Sequence, residues 1–263
     1  MNCKICNNDT KVIFHREVLH KYKINYHQCT TCSFIQTDEP FWLDEAYKDP
    51  INIDDTGLIS RNLMFAKRSS AVLFYLFNSK KKFLDFAGGY GLFTRLMRDY
   101  GFNFYWMDPY TQNLFAKGFE FNPSSKQKIE AVTAFECFEH FVQPLNEIEN
   151  LIKLSDNILF STKLFTVNTP KPDEWDYYAF SHGQHIAFYS RKTLKFIAKK
   201  YGLNLYSNGK SFHLLTRRKT NNTLFNFLLK LSLLGFPELI RFLMGTKIFS
   251  DSQLIINKKK QQI

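Results

Sequence analysis

The stretch Asp85-Phe86-Ala87-Gly88-Gly89-Tyr90-Gly91, with Asp108 seventeen residues beyond its last glycine, restricts the fold of this chain more than any other feature. Lys82 to Phe86 reads as a short buried strand, and Leu92 to Tyr100 as a helix closed by Gly101. A strand that enters a helix through a glycine-rich turn is a place where main chain meets a ligand. Glycines there accept backbone angles and close approaches that a Cβ would forbid. The next strand, Phe104-Tyr105-Trp106-Met107-Asp108, ends on an acid able to accept hydrogen bonds from ribose hydroxyls. Together these features describe a nucleoside-containing cofactor held at the edge of a parallel sheet. A tight turn without a ligand is the alternative, and the acid on the next strand argues against it.

The spacing sorts the cofactors. A dinucleotide fingerprint needs G-x-G-x-x-G, and counting from Gly89 and Gly91 the third position falls on Thr94. A phosphate-binding P-loop needs a closing Gly-Lys-Ser/Thr, which this turn lacks. Asp85, Ala87, Gly89 and Gly91 instead resemble the acid-x-Gly-x-Gly-x-Gly motif of the class I S-adenosylmethionine-dependent methyltransferases, with Ala87 in place of the first glycine. The resemblance implies S-adenosyl-L-methionine as cofactor. Asp85 would face the methionine ammonium, Gly89 and Gly91 would line the methionine and ribose portion, and Asp108 would hold the ribose hydroxyls. Ala87, Gly88, Tyr90, Phe135 and Glu136 complete the implied cofactor-binding set.

The remaining pattern extends this unit. Apolar positions Leu63, Ala66, Ser70, Leu73 and Phe77 recur at helical spacing, with Arg61, Lys67 and Arg68 on the wet side. A brief third strand is expected near Gly118-Phe119-Glu120, a fourth over Ile129 to Phe135, and a fifth over Asn157 to Ser161. Val142 to Leu154 reads as a helix with Pro144 in its first turn. Ser190 is placed to cap a helix that Gly202 ends. Leu203 to Ser207 and Phe212 to Thr216 alternate around Asn208-Gly209 as a closing hairpin. The expected fold is α/β: a Rossmann-like, seven-stranded class I methyltransferase sheet with helices on both faces, a small N-terminal zinc-binding module and a C-terminal helical tail. The expected divisions are residues 1–40 (zinc-binding module), 41–81 (helical linker), 82–219 (methyltransferase core) and 220–263 (basic amphipathic tail).

Cys3-x-x-Cys6 and Cys29-x-x-Cys32 are paired knuckles, close to the four-thiolate pattern of a structural Zn²⁺ site. A segment of this size has little core of its own, so metal binding would supply its folding energy. The start of the chain has no apolar leader, and the longest apolar run, Thr223 to Gly245, is interrupted by Lys230, Pro237, Glu238 and Arg241. The expectation is a cytoplasmic protein with reduced cysteines. The net charge of +11 is uneven: residues 191–263 hold 15 Lys and Arg against 2 Asp and Glu. Such a surface meets phosphate, an acidic glycan, an anionic membrane or RNA, or is simply solvated. The tail reads either as a helix packed on the core or as a peripheral membrane-surface contact.

The acceptor side is expected around Thr133 to His140, at the end of the fourth strand, where open parallel sheets bind ligands. Glu136 and His140 are placed to look into the site. A long connection, Phe165 to Ala187, carries Trp175, Tyr177, Tyr178 and Phe180 and would form a wall or lid over the acceptor. It closes on Gln184-His185, and His185 is the choice for general base because imidazole titrates near neutrality. The catalytic set is His185, His140 and Glu139; Trp175, Tyr177, Tyr178 and Gln184 are the substrate-contacting set. Zinc knuckles, a class I core and the segment Gln184-His185-x-x-Phe188-Tyr189-Ser190 together resemble the bacterial deoxysugar C-methyltransferases over residues 1–219. That family has Glu-His where this chain has Gln184-His185, and it carries a further large C-terminal domain. Both departures suit a related cell-surface glycan O-methyltransferase better. The resemblance therefore implies methylation of a sugar or glycan acceptor of bacterial surface-polysaccharide synthesis. The competing readings are a zinc-ribbon RNA methyltransferase and a non-enzymatic binding module on a degenerate methyltransferase fold. Oligomeric state stays open.

Overall fold

A computed structural model describes residues 1–48, 55–124, 127–166 and 168–260. Residues 49–54 of the expected linker, Val167 of the aromatic connection and residues 261–263 of the tail lie outside the described residues.

In chain order the elements are β1 Thr10–Val18, β2 Tyr22–Cys29, β3 Ile35–Thr37, α1 Leu43–Ala46, α2 Leu58–Leu76, β4 Lys82–Phe86, α3 Leu92–Asp99, β5 Asn103–Met107 and β6 Ile129–Ala134. They continue with α4 Pro144–Leu154, β7 Asn157–Ser161, β8 Ala187–Phe188, α5 Arg191–Lys200, β9 Asn204–Ser207, β10 Phe212–Thr216, α6 Asn222–Leu231, α7 Phe236–Met244 and α8 Ile248–Lys260. The chain forms two compact units, Ile53–Thr133 with Thr220–Ile263, and Met1–Asn52 with Ala134–Lys219. Among the described residues the strand order is β5-β4-β6 in the first unit and β7-β10-β9 in the second.

In the first unit β4 lies between β5 and β6, parallel to both, so that Asp85 stands opposite Trp106 on one side and Thr133 on the other. Phe83 stacks on Phe104 at 5.3 Å, and Phe93 meets Phe104 edge-on at 5.5 Å. These aromatics fill the space between strand and helix and so fix where the β4–α3 turn emerges. On α2 the positions Ala66, Ser70 and Leu73 are buried as the spacing predicts, but Leu63 is exposed; the buried face runs instead through Phe65, Ser69 and Val72. The expected third strand is reduced to a single bridge between Trp106 and Glu120. Among the described residues two backbone bonds, Trp106 N to Phe119 O and Phe121 N to Trp106 O, are all the ladder it makes, which leaves six of the expected seven strands. The left-handed Gly118 (φ +89°) turns the chain just before it can extend.

The C-terminal helices belong to this unit. Arg98 on α3 forms a bidentate pair with Asp251 on α8, at 2.7 Å for both bonds, and both side chains are buried. Arg98 also donates to Phe104 O at 2.7 Å and lies 3.6 Å from the Phe119 ring centroid. Phe225, Leu228 and Leu229 of α6 are buried, while Phe227, Leu233 and Leu234 face outward. Among the described residues no helix is long and apolar enough to cross a membrane.

In the second unit β1 and β2 form an antiparallel hairpin, β3 joins β2, and β8 joins β3 to give a four-stranded sheet. The cysteine knuckles therefore share a sheet with the end of the aromatic connection. Phe14, Tyr26, Tyr178, Phe180 and Phe188 pack face and edge between 4.7 and 6.4 Å. Ser190 caps α5 through a capping box with Thr193, whose hydroxyl also donates to Cys32 O. The pair β9–β10 is antiparallel, as the hairpin pattern predicts, and β7–β10 is antiparallel as well.

Candidate functional site

The β4–α3 turn takes left-handed backbone at Ala87 (φ +54°), Gly89 (φ +53°) and Gly91 (φ +84°). Alanine thus occupies a conformation that costs an L-residue about 1 kcal/mol or more. Gly88 is tight for a different reason: a Cβ there would sit 2.7 Å from both Asp85 Oδ2 and Trp106 Cδ1. Asp85 is buried beneath the turn and accepts from the hydroxyls of Thr94 (2.9 Å) and Thr133 (3.1 Å). Burial pushes its carboxyl up to about 7, partly opposed by the two threonines. Asp108 accepts from the N–H of Gly89 (2.9 Å), Tyr110 (2.8 Å) and Thr111 (3.0 Å). Gly89 O receives Trp106 Nε1–H and the Thr111 hydroxyl, and Tyr90 O receives Leu114 N–H and Phe115 N–H. The expected residues Asp85, Ala87, Gly88, Gly89, Tyr90, Gly91 and Asp108 are therefore brought together in one unit. Thr94, Thr133, Trp106 and Thr111 also hold this turn and were not singled out from sequence; only Thr133, at a strand end, carried a signal that could have found it.

In the other unit the strand-end segment and the aromatic connection meet. Glu136 sits in left-handed backbone (φ +47°), its N–H donating to Ser161 Oγ at 2.7 Å and its carboxylate accepting from the same hydroxyl at 2.5 Å. Phe135 stacks on Phe212. Ile186 N donates to Glu139 O, which sets His185 beside Glu139 and His140. One ligand-type atom each from Glu139, His140 and His185 lies within 4.8 Å of the others. His140 Nδ1 is 3.1 Å from Gln184 O and 2.9 Å from Tyr47 Oη; His185 Nδ1 is 2.7 Å from Tyr177 O. A backbone carbonyl only accepts, so both imidazoles carry their proton on Nδ1 and their lone pair on Nε2. Burial, with His182 nearby, lowers His140 to about 4 and keeps it neutral. Glu139 is completely buried; burial first and the Glu136 charge second raise it to about 8. The hydroxyls of Tyr177 and Thr162 favour its ionised form less strongly, and neither carboxylate oxygen makes a hydrogen bond of ordinary geometry.

The connection departs from a free-standing lid. Trp175 and Tyr178 are buried, Tyr178 within the aromatic cluster with its hydroxyl on Pro170 O. The protein itself thus covers both rings, as suits large apolar groups. Gln184 is buried as well, donating to Ala46 O at 2.7 Å. Of the expected substrate set Tyr177 and Gln184 lie at the histidines, the Tyr177 ring 4.8 Å from that of His185 and Gln184 O 3.1 Å from His140 Nδ1.

The four sulfurs of Cys3, Cys6, Cys29 and Cys32 lie within 4.8 Å of one another, with Cys3 and Cys32 at 3.6 Å and Cys6 and Cys29 at 3.3 Å. Backbone N–H groups of Ile5, Thr31 and Cys32 point at Cys3 and Cys29 sulfurs. Tetrahedral Zn–S bonds of about 2.3 Å put sulfurs roughly 3.8 Å apart, so the donor set fits such an ion. A hydrogen bond from the Cys32 thiol is the main reason Cys3 falls to about 5. His27, between the knuckles, is engaged by Asp38 at 2.7 Å instead.

A family model described as a methyltransferase domain matches residues 60–208, more than half of the chain. The chain belongs to the methyltransferase-domain family. Within this family the matched region takes in the β4–α3 turn and the Glu139–His140–His185 cluster. No curated protein sequence matches significantly. Among solved structures the methyltransferase domain is similar to an O-methyltransferase family protein from Burkholderia thailandensis, at 13% identity and TM-score 0.49, covering 68% of this chain and 64% of that one. It is similar to an O-methyltransferase family 2 protein from Planctomyces limnophilus, at 13% identity and TM-score 0.43, covering 66% of each chain. It is also similar to the magnesium protoporphyrin IX methyltransferase of Synechocystis PCC 6803 with bound SAH, at 13% identity and TM-score 0.42, covering 66% of this chain and 92% of that one. This methyltransferase-domain chain spans just under two thirds of the length of the first two.

Proposed function

We propose that this methyltransferase uses S-adenosyl-L-methionine to methylate a hydroxyl of a sugar or sugar-containing intermediate in bacterial surface-polysaccharide synthesis. The observation that carries the donor is the β4–α3 turn, where three left-handed positions, Ala87, Gly89 and Gly91, lie beside the Asp108 carboxylate. Three of the roughly four lone-pair positions of Asp108 are engaged by backbone, leaving capacity for a ribose hydroxyl. Asp85 supplies a buried carboxylate that an ammonium group would ionise. The sulfonium donor is already activated, so the protein's share of the chemistry is alignment and removal of one proton. Methyl transfer would form a bond from the acceptor oxygen to the methyl carbon and break the carbon–sulfur bond, and the Nε2 lone pair of His185, whose tautomer Tyr177 O sets, would take the hydroxyl proton. The acceptor class rests on the paired cysteine knuckles and the Gln184-His185 segment, which resemble the sugar methyltransferases.

Calorimetry with S-adenosylhomocysteine tests the donor. Micromolar binding, weakened at least tenfold in Asp108→Ala, is expected; no heat at millimolar ligand would remove the S-adenosylmethionine reading. Turnover of labelled donor with nucleotide sugars or glycans tests the acceptor, and labelling of RNA instead would replace it. Zn²⁺ held by Cys3, Cys6, Cys29 and Cys32 would lock the knuckles to the β1–β2 hairpin. The C-terminal helices supply a peripheral membrane contact: Leu234, Phe242 and Phe249 are at least three-quarters exposed, with Lys230, Arg241 and Lys247 alongside. Cosedimentation with vesicles containing about one third anionic lipid is expected, and should disappear in Phe242→Ser/Phe249→Ser.

A further inference from the structure

We propose that Glu139, His140 and His185 form a binding site for a first-row divalent cation, separate from the four-cysteine cluster. Four observations converge on it. The donor atoms of the three residues lie within 4.8 Å of one another. Both imidazoles have Nδ1 committed to backbone carbonyls, Gln184 O and Tyr177 O, which is the outer arrangement that orients a metal-ligating histidine and directs its Nε2 lone pair. The Glu139 carboxylate is fully buried, and neither of its oxygens has a protein hydrogen bond of ordinary geometry. Native interiors rarely hold a buried carboxylate with only the loosely placed Tyr177 and Thr162 hydroxyls beside it, because desolvation without a full partner costs about 1–3 kcal/mol. A cation supplies that partner directly. The whole arrangement is also held from outside: Ile186 N bonds Glu139 O, and Tyr47 Oη shares the His140 Nδ1 proton.

The donor chemistry selects the ion. Two imidazole nitrogens and one carboxylate suit Zn²⁺, Fe²⁺, Mn²⁺ or Co²⁺, and do not suit the all-oxygen preference of Ca²⁺ and Mg²⁺. Metal–ligand bonds of about 2.0–2.1 Å place neighbouring donors roughly 3.3 Å apart, so the three groups close in by about 1 Å or a little more on loading. Three protein ligands leave at least one coordination position open, the mark of a reactive site, whereas the four-cysteine cluster is closed. An acceptor hydroxyl bound at that position would lose its proton more readily, since a cation stabilises the alkoxide. The proton then leaves to solvent, and the His185 lone pair is held by the ion. In the metal-free protein the same lone pair is the base. The metal site stands independently of the methyl-transfer reading, because its readout is the ion itself.

The test is metal uptake by the full chain. Purified protein is stripped of metal, reloaded with Zn²⁺ and analysed for elemental content, and in parallel titrated with Co²⁺ under an absorption spectrometer. Two ions per chain are expected. One gives intense sulfur-to-cobalt charge-transfer bands and is lost in Cys6→Ser/Cys29→Ser. The other gives only weaker ligand-field bands and is bound at least tenfold more weakly in Glu139→Gln and in His185→Gln, with the sulfur bands unchanged. A wild-type chain that takes up only the thiolate-held ion overturns the proposal, whatever the variants do. A second ion that survives both Glu139→Gln and His185→Gln overturns it equally. Should a variant fail to fold, the wild-type stoichiometry and spectrum decide alone. Absence of S-adenosylhomocysteine binding would leave these readouts untouched and count only against the donor assignment.

Discussion

Replacing Asp251 by alanine is expected to destabilise the protein by about 3–5 kcal/mol, the cost of stranding one partner of a buried ion pair. Asp251 and Arg98 are each only 5% exposed at the side chain, and the guanidinium makes two 2.7 Å bonds to the carboxylate. Without Asp251 the Arg98 charge keeps only neutral acceptors, Asn103 Oδ1 at 3.1 Å and Phe104 O at 2.7 Å, and the Phe119 ring. Arg95 loses its contact with Asp251 but retains Asp99 at 2.9 Å, so it adds little to the loss. For a chain of this size each kcal/mol moves the midpoint by about 2–4 °C, giving a fall of roughly 6–20 °C. Thermal and urea melts by circular dichroism measure it. Asp251→Asn, which keeps one acceptor oxygen, should lie between alanine and wild type. The double replacement Arg98→Met/Asp251→Leu removes both charges and should recover most of the loss. A single-variant cost under about 1 kcal/mol, or losses that simply add in the double variant, would refute the claim that this pair is a buried, coupled lock. Because Gly91 of the turn is the N-cap of α3, the same variants report whether the turn's ligand affinity depends on α8.

Three further outcomes are expected. Ala87→Gly should stabilise by about 0.5–1 kcal/mol in melts, since relief of left-handed strain outweighs the added freedom of the unfolded chain. Gly88→Ala should do the reverse and abolish S-adenosylhomocysteine binding in calorimetry, because its Cβ meets Asp85 and Trp106 at 2.7 Å. Asp85 has a folded pKa raised to about 7, above the unfolded value near 4, so its contribution is fully present below about pH 4 and is lost as the pH rises through about 7. The loss amounts to about 4 kcal/mol. Asp85→Asn should therefore gain stability over wild type at pH 8 relative to pH 4, and equal pH dependence in the two proteins would contradict the buried-carboxyl account.

Local chemistry made much of the architecture legible before any coordinates. β4 and β7 occupy the residues that the apolar runs mark, and α5 starts at the serine that caps it. The strand expected at Gly118 to Glu120 failed because the segment opens on a left-handed glycine and only Glu120 forms a bridge, too little to count as a strand. The Leu63 position failed because helical period says which residues share a stripe, while the neighbours that cover α2 decide which stripe is buried. Aromatic residues in a long connection suit a ligand, which is why the sequence points to Trp175 and Tyr178 as part of a wall. Their burial against Phe14, Tyr26 and Phe188 comes from elements distant in sequence.

The sequence alone determined the β4–α3 turn, the acid that follows it and the four-cysteine set, because each depends on residue type at short, countable spacing. Only the tertiary structure decided that Ala87 sits in left-handed backbone, that Thr94 and Thr133 bond Asp85, and that Arg98 binds Asp251 across 153 positions. It alone brought Glu139 and His140 to His185 and left the Glu139 carboxylate buried without a hydrogen bond of ordinary geometry among the described residues. Burial and long-range pairing arise from the three-dimensional packing of distant segments, and no local pattern in the chain encodes them one residue at a time.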